Sequence, residues 1–236
     1  MMKDRLLPDF HSHVLPGIDD GSRSTEESLR MLEMLKFQGI STVVATPHFD
    51  ADRITIDDFL SRRERAFRVL SERVAEDMPI IKIGAEVSYY PGISRLERLY
   101  ELCIAGTRLL LLEMPIGKWE KYVVDELVNL SSSRRIIPIV AHVERCLPYQ
   151  ERRFLEKIGS SDVLFQINAS FVINISTRRR AFRLLKNGLV QLLGSDCHGA
   201  EARPPEIGEA YRIIADKLGE KFVTNMLEYG NSLIHF

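Results

Sequence analysis

The chain has 236 residues, 45% of them hydrophobic and 28% charged, with 32 Lys+Arg against 33 Asp+Glu. That length and apolar content are enough for one core without metal or disulfide staples, and they exclude disorder. A net charge of −1 lacks the basic excess that nucleic acid recruits, and no apolar run approaches the roughly 20 residues needed to span a membrane. The N-terminus has no apolar secretory core, and the chain's 3 widely spaced cysteines point to reduced thiols and a cytoplasmic location.

In chain order, short apolar runs alternate with helical patterns. The runs at 6–10, 40–45, 80–85, 109–112, 136–141, 163–167 and 189–193 are too short for helices and often β-branched, so they read as buried parallel strands. Ser24 with Glu27 is a capping-box signature, followed by Leu29, Leu32 and Leu35 at helical spacing until Gly39. Trp119, Val123, Leu127 and Leu130 form a second stripe. Thr177 is placed to cap a helix carrying Ala181, Leu184 and Leu185, which Gly188 closes. Helices over about 206–218 and 220–229 complete the pattern. Seven strand–helix units predict a single α/β domain over 1–236, a (β/α) barrel short by one strand, with an open doubly wound sheet as the alternative.

Five of the 6 histidines, His11, His13, His48, His142 and His198, fall just after a predicted strand. Glu86, Glu113 and Asp196 occupy comparable places. In a parallel barrel all these strand ends share one face, so residues distant in sequence converge. Residues i and i+2 of an extended strand point the same way, which lets His11 and His13 reach one ion. Asp196 and His198 repeat that spacing, leaving Cys197 to face the barrel wall. Mixed imidazole and carboxylate ligands suit Mn²⁺, Fe²⁺ or Zn²⁺ better than Ca²⁺. So many candidates imply two or three ions bridged by a carboxylate such as Glu86, an arrangement used for phosphoester hydrolysis. A lone H-x-H or a lone Glu after a strand would carry no such weight, and His235 lies outside the pattern. Arg178, Arg179 and Arg180 begin a predicted helix, where cations oppose the macrodipole. They read as a solvated face, with an anionic partner as the alternative.

The motifs carry a family resemblance. Asp9-Phe10-His11-Ser12-His13-Val14-Leu15-Pro16-Gly17-Ile18-Asp19-Asp20-Gly21 resembles the first motif of the PHP (polymerase and histidinol phosphatase) superfamily. More narrowly it is similar to bacterial PHP-type protein-tyrosine phosphatases encoded with capsule and exopolysaccharide genes. Thr46-Pro47-His48, Gly84-Ala85-Glu86, Leu112-Glu113-Met114-Pro115, Ala141-His142-Val143-Glu144-Arg145 and Gly194-Ser195-Asp196-Cys197-His198 follow in family order. The resemblance implies a distorted seven-stranded TIM-like (β/α) barrel of the PHP type. It also implies Mn²⁺-dependent dephosphorylation of tyrosine on the tail of a partner kinase, with neither nucleic acid nor membrane insertion involved. The implied metal ligands are His11, His13, Asp20, His48, Glu86, Glu113, His142, Asp196 and His198, and the implied phosphate-binding residues are Arg145 and Arg203.

A bridging hydroxide would attack phosphorus in line. Asp20 or His198 would assist the leaving phenolate, and Asp19 would cap the following turn. Phe49, Val143 and Cys146 depart from the family pattern and are expected at the pocket rim. The residues leave three rivals open. One is another PHP phosphoesterase, of histidinol-phosphate or nucleotide type. Another is a non-catalytic, metal-stabilised kinase regulator. The third is a cysteine phosphatase, because the C-x5-R spacing occurs at Cys146–Arg152 and Cys197–Arg203.

Overall fold

The structure, a computed structural model, describes residues 6–132 and 135–234; His235 lies outside the described residues. Strand β1 (Leu7–Ser12) is buried along its whole length. Ser24 then accepts the Glu27 N–H and starts α1 (Thr25–Phe37), while the Glu27 carboxylate reaches back to the Arg23 N–H. Half of the capping box forms: Ser24 caps as expected, but Glu27 takes the N–H of Arg23 instead of that of Ser24, and Glu26 and Glu27 also complement the helix dipole. Gly39, at φ 85°, ends the run.

Strand β2 (Ile40–Ala45) stops at Thr46-Pro47, where the chain lacks a ladder N–H, and resumes as β3 (His48–Phe49). Thr55 caps α2 (Ile56–Ser71). The next strand is likewise split, by Gly84-Ala85, into β4 (Ile80–Ile83) and β5 (Glu86–Ser88). β6 (Leu109–Glu113), α3 (Lys121–Ser132), β7 (Ile137–Val140) and α4 (Arg152–Gly159) alternate after it. β8 (Leu164–Asn168) leads directly into α5 (Ala169–Ile173) and then α6 (Ile175–Lys186). β9 (Leu192–Gly194), α7 (Ile207–Leu218) and α8 (Glu220–Ile234) follow.

Every strand pairing is parallel. One sheet runs β1-β2-β4 and the other β3-β5-β6-β7-β8-β9. Neighbours follow sequence order, without the reversal that defines a doubly wound sheet. Past β9 the chain meets β1 again: Asp196 donates to His11 O at 2.8 Å and His13 donates to Cys197 O at 3.0 Å. Most strands are buried on both faces, as parallel sheets require, whereas β4 is only partly covered and Ile80 at its start is exposed. Leu110 and Leu112 join the outer core, which runs from Leu7 to Leu227. Leu109 and Leu111 join Phe10, Val44, Ile139, Leu164 and Leu192 in an inner cluster. Tyr211 pins α7 to β1 by donating to Pro8 O at 3.0 Å. Among the described residues no helix is long and apolar enough to cross a membrane.

Several expectations are corrected. The last strand begins at Leu192, because Leu189 still donates to Leu184 O at the end of α6. Asn174 caps α6, accepting the Ser176 N–H at 2.9 Å, whereas the Thr177 hydroxyl donates to Phe171 O. Trp119 precedes α3 and donates its indole N–H to Pro115 O. Helix α8 continues past 229 because Gly230 gives Phe10 room against it: a Cβ there would lie 3.1 Å from that ring.

A second glycine sets how closely the first and last strands approach. A Cβ at Gly194 would lie 2.4 Å from the His11 Cβ and 2.8 Å from Gln166 Nε2. Gly194→Ala should therefore destabilise the protein by about 1–3 kcal/mol through overpacking. In a thermal melt that is a fall in Tm of roughly 2–4 °C per kcal/mol; an unchanged Tm would contradict the close approach.

Candidate metal centre

The C-terminal ends of the strands carry the polar residues. His11 and His13 converge as the pleat predicts, with their Nε2 atoms 3.1 Å apart. The loop after them folds back tightly. A Cβ on Gly21 would lie 2.4 Å from the His13 Cβ, so the return needs glycine. Asp19 does cap that turn, accepting the Gly21 N–H at 2.9 Å. It also holds His13 Nδ1 at 2.7 Å and the His48 N–H at 3.0 Å. A carboxylate on Nδ1 leaves Nε2 facing inward, the usual support for a ligating imidazole. Asp20 projects from the same loop, its Oδ1 3.4 Å from His48 Nε2 and 3.5 Å from His198 Nε2.

Glu86 lies at the centre, 1% exposed. Its Oε2 is 3.1 Å from His11 Nε2, 3.3 Å from His13 Nε2 and 3.1 Å from His48 Nδ1. Its Oε1 is 2.9 Å from His142 Nε2, which Glu113 approaches at 3.4 Å. Asp196 divides its two oxygens. Oδ1 faces His11 at 3.6 Å, His13 at 3.8 Å and His198 at 3.6 Å. Oδ2 accepts from Asn168 at 2.7 Å and Arg145 at 3.0 Å and pairs with Arg203 at 2.9 Å, whose Nη2 donates to Asp196 O at 3.0 Å. The extended i, i+2 geometry expected for Asp196 and His198 does not occur. Asp196 sits at φ 53°, and His198 Nδ1 turns back to Asp196 O at 3.0 Å. His142 is also left-handed, at φ 30°. Such backbones cost about 1–3 kcal/mol each and persist where surrounding contacts enforce them.

The sequence-predicted residues thus meet in one place. His13, Asp20, His48 and His198 form one group, His11, His13 and Asp196 a second, and His48, Glu86 and Glu113 a third; within each group, one donor atom per residue lies within 4.8 Å of the others. Beside them opens a cavity of about 520 Å³, lined by Glu86, His142, Arg145, Asp196, His198 and Arg203, among others. The charges call for cations. Burial opposes a charge on His13, yet Asp19 and Glu86 lift it to about 10. Burial would raise Glu86, yet His11 and its neighbours hold it well below the usual range. His198 is pushed down to about 4 by burial and by the charges of His13 and Arg203. Glu86 Oε2, though surrounded by imidazoles, accepts no well-directed hydrogen bond. An orphaned carboxylate oxygen among clustered imidazole nitrogens is a donor set that fits divalent ions.

Several supporting residues were not foreseen. Gln166 and Asn168 are buried on β8 within this network. Their signal was present in the sequence: two amides at alternate positions of an otherwise apolar strand. Asp9 is buried and accepts from the N–H groups of His11 and Ser195, tying β1 to the Asp196 loop. The loop carrying Arg203 is held by both ends of α1: Glu27 accepts the Ala200 N–H, and Gln38 bonds Pro205 O and the Gly208 N–H. Of the arginine triplet, Arg178 donates to Val172 O and Ile173 O, and Arg180 lies over Phe171. The expected rim changes are corrected. Phe49 packs on Phe59, Val143 is buried, and the Cys146 thiol points at Met114 O; none of the three lines the cavity.

Parallel strands delivering imidazoles and carboxylates to one end define the class: an α/β protein with a candidate multinuclear metal centre. The family described as "Capsular polysaccharide synthesis, CpsB/CapC" matches residues 7–234, and the chain belongs to it. It is 32% identical to the tyrosine-protein phosphatase CpsB of Streptococcus pneumoniae over 90% of this chain and 91% of that protein. It is 26% identical to the tyrosine-protein phosphatase YwqE of Bacillus subtilis over 96% of this chain and 91% of that protein. Its fold superposes, with a TM-score of 0.80 at 22% identity, on a chain from crystal structures of YwqE and CpsB, described as metal-dependent tyrosine phosphatases; 97% of this chain and 94% of that one are covered.

Cysteine chemistry does not fit. All three cysteines are buried and free. Burial pushes the Cys146 thiol up to about 11 and the Cys197 thiol higher still. Cys197, 1% exposed, packs in the outer core as a small hydrophobe. Cys197→Ala should keep most phosphatase turnover and cost about 1 kcal/mol of stability. Iodoacetamide should leave the native protein active. Loss of turnover in a folded Cys197→Ala protein would reinstate the thiolate mechanism.

Proposed function

We propose that the chain hydrolyses phosphotyrosine on a protein substrate with divalent metal ions, Mn²⁺ foremost and two or three in number. The carrying observation is that Arg145 and Arg203 both bind Asp196 Oδ2 while lining the cavity beside the imidazole cluster. Two guanidiniums beside a metal cluster present a surface made for a phosphoryl group. His11, His13, Asp20, His48, Glu86, Glu113, His142, Asp196 and His198 would hold the ions. Ions bound there supply positive charge for the phosphoryl oxygens and acidify water near neutral pH.

The protein's own residues do the rest. Arg145 and Arg203 take the equatorial phosphoryl oxygens and orient phosphorus for in-line attack. Asp196 holds both guanidiniums in place before substrate arrives. Asp20, exposed at the cavity mouth, and His198 are the candidates to carry a proton to the leaving phenolate. That group has a solution pKa near 10 and needs only modest help.

The whole chain, 1–236, is taken as one PHP-type metallophosphatase domain, and its strands as a distorted seven-stranded barrel. The bonds from β1 to the Asp196 loop and the inner cluster drawn from several strands support that closure. The substrate is taken to be the tyrosine-bearing tail of a bacterial kinase that controls capsule synthesis, with the enzyme in the cytoplasm. The family description and the free buried cysteines support this.

Metal stripping with EDTA should abolish phosphotyrosine-peptide turnover, and Mn²⁺ should restore it better than Mg²⁺, which coordinates imidazole poorly. Full activity in a metal-free sample would sink the proposal. Turnover of histidinol phosphate or nucleotides in preference to phosphotyrosine would keep the metal chemistry and replace the substrate. Arg145→Ala and Arg203→Ala should each lower kcat/KM by roughly 10²-fold, with metal content unchanged by elemental analysis. A lost ion in either variant would show that the arginine supports the centre instead of the substrate.

A further inference from the structure

We infer that Gln166 is a positioning residue for the metal centre: it keeps the ring proton of His11 on Nδ1 and so turns the lone pair of Nε2 toward the ions. Gln166 is fully buried on β8. The orientation of its amide follows from its neighbours. The His142 backbone nitrogen, 2.8 Å away, can only donate, so the atom facing it is the oxygen, Oε1. Nε2 then donates to Asn168 Oδ1 at 3.0 Å. That leaves the Asn168 Nδ2 group to donate to Asp196 Oδ2 at 2.7 Å, a carboxylate that only accepts. A fixed donor stands at one end of the relay and a fixed acceptor at the other, so neither amide can flip without losing both of its bonds.

The same Oε1 lies 3.3 Å from His11 Nδ1. An acceptor there requires a hydrogen on Nδ1. The opposite ring nitrogen, Nε2, then faces Glu86 Oε2 at 3.1 Å and His13 Nε2 at 3.1 Å. His13 obtains the same orientation from Asp19. His11 obtains it from a neutral amide, which adds no charge to a cluster already rich in carboxylates. The amide also holds the N–H of His142 in its left-handed backbone and, through Asn168, directs Asp196 Oδ2 away from the imidazoles. One side chain therefore sets three of the candidate ligands. Gly194 makes room for it, since a Cβ there would sit 2.8 Å from Gln166 Nε2.

This role rests on the cluster being a metal site and not on any substrate, so it is tested by metal binding alone. Zn²⁺ affinity of the metal-stripped full chain is measured by competition with a chromophoric chelator. Gln166→Met preserves size but removes the acceptor, and should weaken binding roughly 10- to 100-fold. Gln166→Glu keeps an oxygen facing both N–H groups but loses the donor to Asn168 Oδ1 and adds a charge, so it should restore only part of that loss. Nitrogen NMR of the Zn²⁺-loaded wild type should show the His11 proton on Nδ1 and the ion on Nε2. Wild-type affinity in a folded Gln166→Met protein, equal loss in both variants, or an ion on His11 Nδ1 would each overturn the assignment. If the Met variant does not fold, the wild-type nitrogen spectrum decides by itself. A wild type that takes up no Zn²⁺ would overturn this role together with the metal reading. Uptake with the expected assignments but no phosphotyrosine turnover would support it and defeat only the proposed function.

Discussion

Glu86 is a carboxylate removed from water and surrounded by imidazoles. An ionised group in that position is tolerable only if positive charge is held against it from several sides. That requirement organises this end of the molecule. It brings His11 on β1, His13 just after it, His48 on β3 and His142 just past β7 to one carboxylate. It also explains why Asp19, Gln166 and Asn168 stand behind the cluster. Asp19 stands on His13 Nδ1 and Gln166 beside His11 Nδ1, while Asn168 joins Gln166 to Asp196.

The backbone bears the consequences of that crowding. His142 and Asp196, both close to the centre, adopt left-handed conformations that non-glycine residues avoid. Gly21 and Gly194 stand where neighbouring chain passes too close for any side chain. The broken strands serve the same end. Pro47 interrupts β2–β3 and Gly84-Ala85 interrupts β4–β5, and His48 and Glu86 stand at the start of the resumed segments. Arg63 props the second break from outside, donating to Gly84 O at 2.8 Å.

Asp196 links this interior to the cavity. One oxygen belongs to the imidazoles and the other to two guanidiniums. The groups that would carry metal and the groups that would grip phosphate are therefore held in register by a single side chain. Helix α1, through Glu27 and Gln38, holds the loop that brings Arg203 to it. A helix that contributes no candidate ligand thus helps to hold one of the two cations in place.

Much of this was legible in the residues alone. Parallel strands follow from short apolar runs buried on both faces, and the shared face of the histidines follows from their regular position after those runs. The His11–His13 pairing follows from the period of an extended chain. The Ser24–Glu27 cap is a local hydrogen-bond pattern, so sequence sufficed for it as well. Other features depend on partners that are distant in sequence. Thr177 and Asn174 are equally good caps until Phe171 O claims the threonine hydroxyl. The turn at Asp196 is enforced by β1, Asn168 and the arginines, so a strand-like spacing did not predict it. Cys146 and Phe49 were expected at the rim and are drawn inward by Met114 and Phe59. The sequence by itself determined which residue types stand at the strand ends, because burial and periodicity are local demands. Only the tertiary structure decided which nitrogen of His11 faces the centre, because that depends on an acceptor from a distant strand, Gln166, 155 residues away.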